Sequence, residues 1–158
     1  MHSKNTILVP SAIVSETLAI LQKVGRRRSE CVVLWLGKRG ADSIRVEEVY
    51  KPDQVASRDF FRIPEESMEK LFQKLRAQRL FVAAQVHTHP NKAFHSYADD
   101  EWAIVRHTGA LSLVIPYFAK KTRAATFGTD TVVFALSALN QWIEVGPGQI
   151  SNHYRIIP

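Results

Sequence analysis

The chain carries a single cysteine, Cys31, among 158 residues, and that scarcity excludes two kinds of scaffold. No internal disulfide framework can form, which suits a reducing compartment and makes the cytoplasm the expected location. A thiolate zinc cage is excluded as well, so a tight transition-metal site would have to be built from histidine and carboxylate. Long apolar runs are also missing. The N-terminus is polar, and the first apolar stretch, 13–21, is interrupted by Ser15, Glu16 and Thr17. Neither a secretory signal nor a membrane span is therefore expected. There is no repeat, low-complexity tract or linker. Acidic residues are outnumbered, 15 against 21 lysines and arginines, for a net charge of +6. Such an excess raises the question of nucleic acid. The basic residues are scattered, however, apart from Arg26-Arg27-Arg28 and Lys120-Lys121 with Arg123. No aromatic platform for single strands and no recognition-helix pattern accompanies them. The charge reads as solvated surface that could also steer an acidic protein partner, and neither a nucleic-acid nor a membrane partner is expected.

What is present is enough for one domain, 1–158, able to bury roughly two-thirds of its unfolded surface. Ile7-Leu8-Val9 is a short apolar stretch, and Pro10-Ser11 opens a helix whose Ile13, Thr17, Leu18, Ile20, Leu21 and Val24 recur at helical spacing up to Gly25. Segment 30–37 is a continuous apolar strand that begins with an acid, and 44–50 alternates as a half-buried strand returning antiparallel. A loop over 51–59 leads to a short strand near 60–63. Pro64 suits a first helical position, and Met68, Leu71, Phe72 and Leu75 mark one face of a helix ending near Gln78. Beyond it, 80–86 and 111–116 read as buried strands. The pattern predicts further strands at 124–127, 131–136, 141–145 and 154–157, a turn at Gly146-Pro147-Gly148, and a mobile segment at 117–123. The expected class is α/β, one mixed sheet with helices packed on it.

The chemistry concentrates in His87-Thr88-His89-Pro90, followed by Ser96 and Asp99-Asp100. At the end of a strand, side chains repeat every second residue, so both imidazoles project from one face. Pro90 removes a backbone donor and ends the ladder. Ser96 fits an N-cap for a helix over 97–105 that Gly109 stops. Two histidines and a first-turn carboxylate could converge on one cation and leave a fourth position for water, as a catalytic zinc site requires. The plainer readings are a satisfied core histidine and a simple capping box; the conjunction of features favours metal. Glu30, taken alone, is an exposed strand-edge acid, His95 a solvent-exposed loop histidine, and Trp35 and Trp102 core residues.

Taken together, the strand 30–37 that opens on Glu30 and ends in Gly37, the His87-Thr88-His89-Pro90 segment, and Ser96 followed by Asp99 resemble the JAB/JAMM (MPN-plus) metalloproteases. The resemblance spans nearly the whole chain. Phe94-His95-Ser96 with Asp99-Asp100, and the stretch 109–116, resemble the prokaryotic branch found in bacterial operons for ubiquitin-like conjugation, including Bil-type and CBASS antiphage systems. The implied fold is a single JAMM (cytidine-deaminase-like) domain. The implied site holds Zn2+ on His87, His89 and Asp99, with Glu30 as general base and Ser96 donating to the carbonyl oxygen of the scissile bond. The implied substrate is an amide or isopeptide bond after the C-terminal glycine of a ubiquitin-like protein, free or attached to a target or E2-like protein, with 117–123 and the arginine run as candidate contacts. Cell-wall peptides or small amino-acid conjugates, or an inactive scaffold, are the alternatives. Two departures stand out. Val33 occupies a position where many members have glycine. The family's interval from the second histidine to the serine and aspartate is also one residue longer than here. Counting from Ser96 selects Asp99, which is preferred because the serine cap fixes the helix start; counting from His89 selects Asp100.

Overall fold

The computed structural model describes residues 5–95, 99 and 103–158. Strand β1 (Thr6–Pro10) leads into helix α1 (Ser11–Gly25), then β2 (Val32–Arg39) and β3 (Ser43–Tyr50). A two-stranded hairpin, β4 (Val55–Ala56) with β5 (Phe61–Arg62), precedes α2 (Glu65–Gln78). Then come β6 (Phe81–Thr88), β7 (Leu111–Ile115), β8 (Val132–Leu136), β9 (Trp142–Glu144) and β10 (Tyr154–Ile157). The principal sheet has the order β10-β1-β3-β2-β6-β7-β8-β9. It is mixed: β10 and β3 flank β1 in parallel, β6 pairs with β7 in parallel, and the remaining neighbours are antiparallel. The sheet curls, so that Val132, Val133 and Glu144 near one edge share a cavity wall with Tyr154 and Ile156 of the other.

Alternation along β2 divides the core. Cys31, Val33 and Trp35 join Ile13, Val14, Leu18 and Leu21 of α1, whereas Val32, Leu34 and Leu36 join Leu71 of α2 with Met68 and Leu75 at its margin. The α1 side is closed by Trp35, which is fully buried and donates its indole N–H to Thr17 Oγ1 at 2.9 Å. That bond satisfies the one polar atom of a large side chain, which otherwise costs about 1–3 kcal/mol when buried without a partner. Gly37 sits where the β2–β3 register shifts, and a Cβ there would lie 2.6 Å from the Arg45 carbonyl oxygen, so the close approach of the two strands requires glycine.

Several expectations need correction. Phe72 is exposed, and buried Ser67 takes part in the inner face of α2 instead. Pro64 is the N-cap of α2, one place before the first helical residue. Residues 103–105 are not helical, so the helix expected over 97–105 does not reach them; Asp99 itself is helical. Gly109 takes φ +85 in the turn entering β7, where its N–H donates to the Leu136 carbonyl. Segment 124–127 is no strand. The Arg123 N–H donates to Thr126 Oγ1 at 3.0 Å, closing a 3-10 turn, Ala124–Thr126, that runs into one helical turn, Phe127–Asp130. Residues 147–152 form a further 3-10 helix, Pro147–Asn152, where a simple turn was expected. Among the described residues, no helix is long and apolar enough to cross a membrane.

Candidate metal centre

The site grows out of the β2–β6 pairing. Val32 lies opposite His87, and the pairing continues one residue further, because the Thr88 N–H donates to the Cys31 carbonyl at 3.1 Å and the Cys31 N–H donates to Thr88 Oγ1 at 3.1 Å. One more step in the same register sets Glu30 against His89. Residues opposite each other in an antiparallel pair share a face, and alternation puts Glu30 with Val32 and His87 with His89. The acid far upstream in sequence thus faces the same way as both histidines. On the other side of β6, the His89 N–H donates to the Ile115 carbonyl of β7 at 3.0 Å, which holds the second histidine in the ladder beyond the strand's formal end. The Glu30 N–H donates to the Ser57 carbonyl at 2.7 Å, tying the start of β2 to the β4–β5 hairpin. Phe61 of that hairpin packs its ring 5.4 Å from the ring of His87.

Asp99 completes the group. Its Oδ2 lies 2.9 Å from His89 Nε2 and 3.3 Å from His87 Nε2. One ligand atom from each of the three residues falls within 4.8 Å of the other two, and all three residues are buried. Of the remaining expected site residues, Ser96 and the alternative ligand Asp100 lie outside the described residues, as does Trp102. Trp35 is in the core, as expected.

Do these residues fit a metal ion? His87 is fully buried, and neither of its ring nitrogens has a hydrogen-bond partner among the described residues. Two imidazole nitrogens point toward one carboxylate oxygen, an arrangement that a cation between them would satisfy and that packing alone leaves costly, at about 1–3 kcal/mol per unsatisfied group. The donor set of two imidazoles and one carboxylate is one that divalent transition metals take. Glu30 adds a second acid. It is buried, and burial, reinforced by the charge of Asp99 and then of Asp59, pushes its carboxyl up to about 8. A cation in the cluster would oppose the last two effects and favour the carboxylate.

The loop after β6 is tied down where a mobile flank was expected. The Phe118 N–H donates to the His89 carbonyl at 2.8 Å and the Tyr117 N–H to the Asn91 carbonyl at 3.0 Å. Tyr117, Phe118 and Ala119 all take positive φ, at 54°, 53° and 59°. None is glycine, and such residues cost on the order of 1–3 kcal/mol each unless their surroundings impose the conformation. His95 is also not a solvated loop residue. Its Nε2 lies 3.0 Å from Ser112 Oγ, and its ring packs against Phe134 and Trp142 and lies 6.0 Å from that of His87. Ser112 in turn accepts from Gln85 Nε2 at 3.0 Å, and Gln85 Oε1 accepts the Ile104 N–H at 3.0 Å. This buried polar chain supports both ends of the metal loop. Sequence reasoning passed over it, although the signal existed: Gln85 and Ser112 are polar residues inside apolar strands, and the parallel register pairs them. Phe61 and Thr88, which steady His87 and Glu30, carried no comparable signal.

No protein-family model matches the chain. Among solved structures, the chain is similar to the solution structure of protein DSY2949 from Desulfitobacterium hafniense, with a TM-score of 0.66 and 17% identity over 96% of this chain and 93% of that one. At that identity the likeness establishes the fold. Among curated proteins it is 33% identical over 149 residues to a protein of Sinorhizobium fredii named "Probable metalloprotease y4jG", covering 92% of this chain and 90% of that protein. Identity of that degree along nearly the whole of both chains places this one in the same family, so the chain belongs to the family of the Sinorhizobium probable metalloprotease.

Proposed function

We propose that the chain is a zinc-dependent peptidase of the JAMM type, acting in the cytoplasm on the bond after the C-terminal glycine of a ubiquitin-like protein, in precursor processing or removal from targets within a bacterial antiphage conjugation system. The observation that carries the hydrolytic reading is the single face shared by His87, His89 and Glu30, with Asp99 against both imidazoles. Membership in the family of the Sinorhizobium probable metalloprotease supports it.

His87, His89 and Asp99 would hold the ion. Zinc suits two imidazoles and a carboxylate better than magnesium or calcium, which favour all-oxygen shells. When bound, it supplies Lewis acidity that brings a water's pKa to about 7. The chain's own groups then do the following. Glu30, on the same face as the histidines, takes the proton of the attacking water on its carboxylate and returns it to the departing amine, work that typically contributes about 10²–10⁴-fold. Burial of the glutamate keeps its affinity for that proton high, which favours the first transfer. Ser96 donates its hydroxyl hydrogen to the carbonyl oxygen as charge develops there, a contribution of roughly 3 kcal/mol for such donors.

The test is cleavage of a ubiquitin-like protein carrying a C-terminal extension by zinc-loaded protein, with Glu30→Gln and a metal-stripped sample alongside. The expected result is scission directly after the terminal glycine, abolished by either change while the fold persists. Activity retained in a verified metal-free sample would overturn the mechanism. Hydrolysis of cell-wall peptides with none of the fusion would overturn the substrate.

A further inference from the structure

A cavity of about 590 Å³ lies behind the metal loop, lined by Arg26, Arg28, Pro90, Tyr117, Phe118 and Lys120 together with the end of α1. From it we infer a second binding site, distinct from the histidine and aspartate cluster, that takes a carboxylate-bearing segment of a peptide. The choice of a carboxylate rests on the peptidase reading above, since the anionic groups of an unmodified polypeptide are its aspartates, glutamates and C-terminus.

Three observations carry it. The cavity brings together the two basic clusters that stand far apart in sequence, Arg26 and Arg28 from one and Lys120 from the other, and no acidic residue is among the described residues that line it. All three cations are exposed, and among the described residues none of them forms an ion pair. Guanidinium groups fit carboxylates through paired hydrogen bonds, and the two aromatic residues offer apolar surface beside them.

The wall is also firmly built. Gln22 Nε2 donates to the carbonyls of Ala119 at 3.1 Å and Thr122 at 2.8 Å. Gly25 packs so tightly that a Cβ on it would lie 2.4 Å from the Phe118 carbonyl oxygen. These contacts hold the left-handed run 117–119 in place, and strain of this kind collects at binding sites.

Finally, the cavity shares its wall with the metal loop. Pro90 follows His89 directly, and the His89 carbonyl accepts the Phe118 N–H. On the metal side Glu30 feels the charges of Asp99 and Asp59, whereas this side is cationic.

The test is an NMR titration of full-length, zinc-loaded protein carrying Glu30→Gln to suppress turnover. The probe is acetylated, amidated pentaglutamate; pentaglutamine at the same ionic strength is the control. The acidic peptide should shift the amides of Gly25, Tyr117, Phe118 and Lys120, and the neutral one should not. Adding Arg26→Gln and Lys120→Gln, both at exposed positions, should weaken binding about tenfold or more. Shifts confined to other surfaces, equal binding of the neutral peptide, or unchanged affinity in the charge variants would each overturn the site. So would a single-stranded oligouridylate that occupies the cavity at lower concentration than pentaglutamate. Because binding is read without turnover, the two claims separate. Acidic-peptide binding by a chain with no hydrolytic activity would sink the peptidase reading alone, and hydrolysis without such binding would sink the site alone.

Discussion

Along β2 and the two residues that lead into it, Cys31, Val33 and Trp35 face α1, while Glu30 and Val32 alternate to the opposite side, toward His87 and α2. The first face is aliphatic and aromatic; Thr17 satisfies the Trp35 indole N–H, while the buried Tyr154 hydroxyl beside it has no hydrogen-bond partner among the described residues. The second begins as the same kind of core at Leu34 and Leu36, passes Val32 opposite His87, and ends one alternation further at the buried acid Glu30. The same two strands therefore supply stability on one side and chemistry on the other, and a single residue of register separates them. The difference teaches that the site is placed by the sheet, so that its geometry is inherited from the strands that also carry the core, through bonds such as His89 N–H to the Ile115 carbonyl. The polar face also carries a buried acid and an imidazole whose nitrogens make no hydrogen bond among the described residues, a burden that a cation would relieve.

The comparison can be broken from either side. Replacing Glu30 by glutamine should lower turnover by about 10²–10⁴-fold in a peptide-hydrolysis assay while leaving the thermal midpoint of the metal-free protein unchanged or higher, because a buried acid is removed. A drop in stability as large as a core truncation would show that Glu30 is structural. Trp35→Ala, on the other face, should cost about 3–5 kcal/mol of stability by denaturant titration, and the surviving folded fraction should still bind zinc.

The pH dependence of stability sharpens the contrast. Folding raises the affinity of Glu30 for its proton from the ordinary value of 4.5 to about 8. The folded state thus holds the extra proton across that window, and stability must fall as pH rises through it, by on the order of a few kcal/mol. Metal-free protein should show this decline in urea titrations between pH 5 and 8, and zinc should flatten it. A decline of equal size in Glu30→Gln would assign it to other groups. The smallest expected effect is that of Ser112→Ala, which removes the partner of His95 and Gln85. It should weaken zinc binding by roughly tenfold in a competition assay with a chromogenic chelator and lower stability by about 1–3 kcal/mol, since buried Gln85 loses its acceptor.

Much of this was legible in the sequence because it depends on local periodicity. The strands around Val33, Val46, Val86 and Leu113 carry apolar runs that only a sheet interior explains, and the two histidines announce a shared face by their spacing. Glu30 could be placed only through a pairing register, which spacing does not contain; its role came from resemblance to a family. Asp99 rather than a neighbour was selected by its distance from Ser96, and the structure brings Asp99 to both imidazoles. The misses have physical reasons. Ala124-Ala125-Thr126 is apolar enough for a strand, but Thr126 closes a turn on Arg123. Tyr117, Phe118 and Ala119 adopt a left-handed run imposed by hydrogen bonds to the loop after His89 and to Gln22, and nothing in three non-glycine residues foretells it. His95 reads as solvated from sequence because its partner, Ser112, lies on a separate strand whose pairing the local spacing does not contain.

The central claim is that the polar face is a metal centre, and metal content tests it most directly. Protein purified without added metal should contain one zinc per chain by elemental mass spectrometry, with X-ray absorption showing nitrogen and oxygen neighbours at about 2.0–2.2 Å. His87→Ala and His89→Ala should each abolish that content while the fold, read by circular dichroism, persists. A chain that takes up no zinc, or that retains it after both histidines are replaced, would contradict the account.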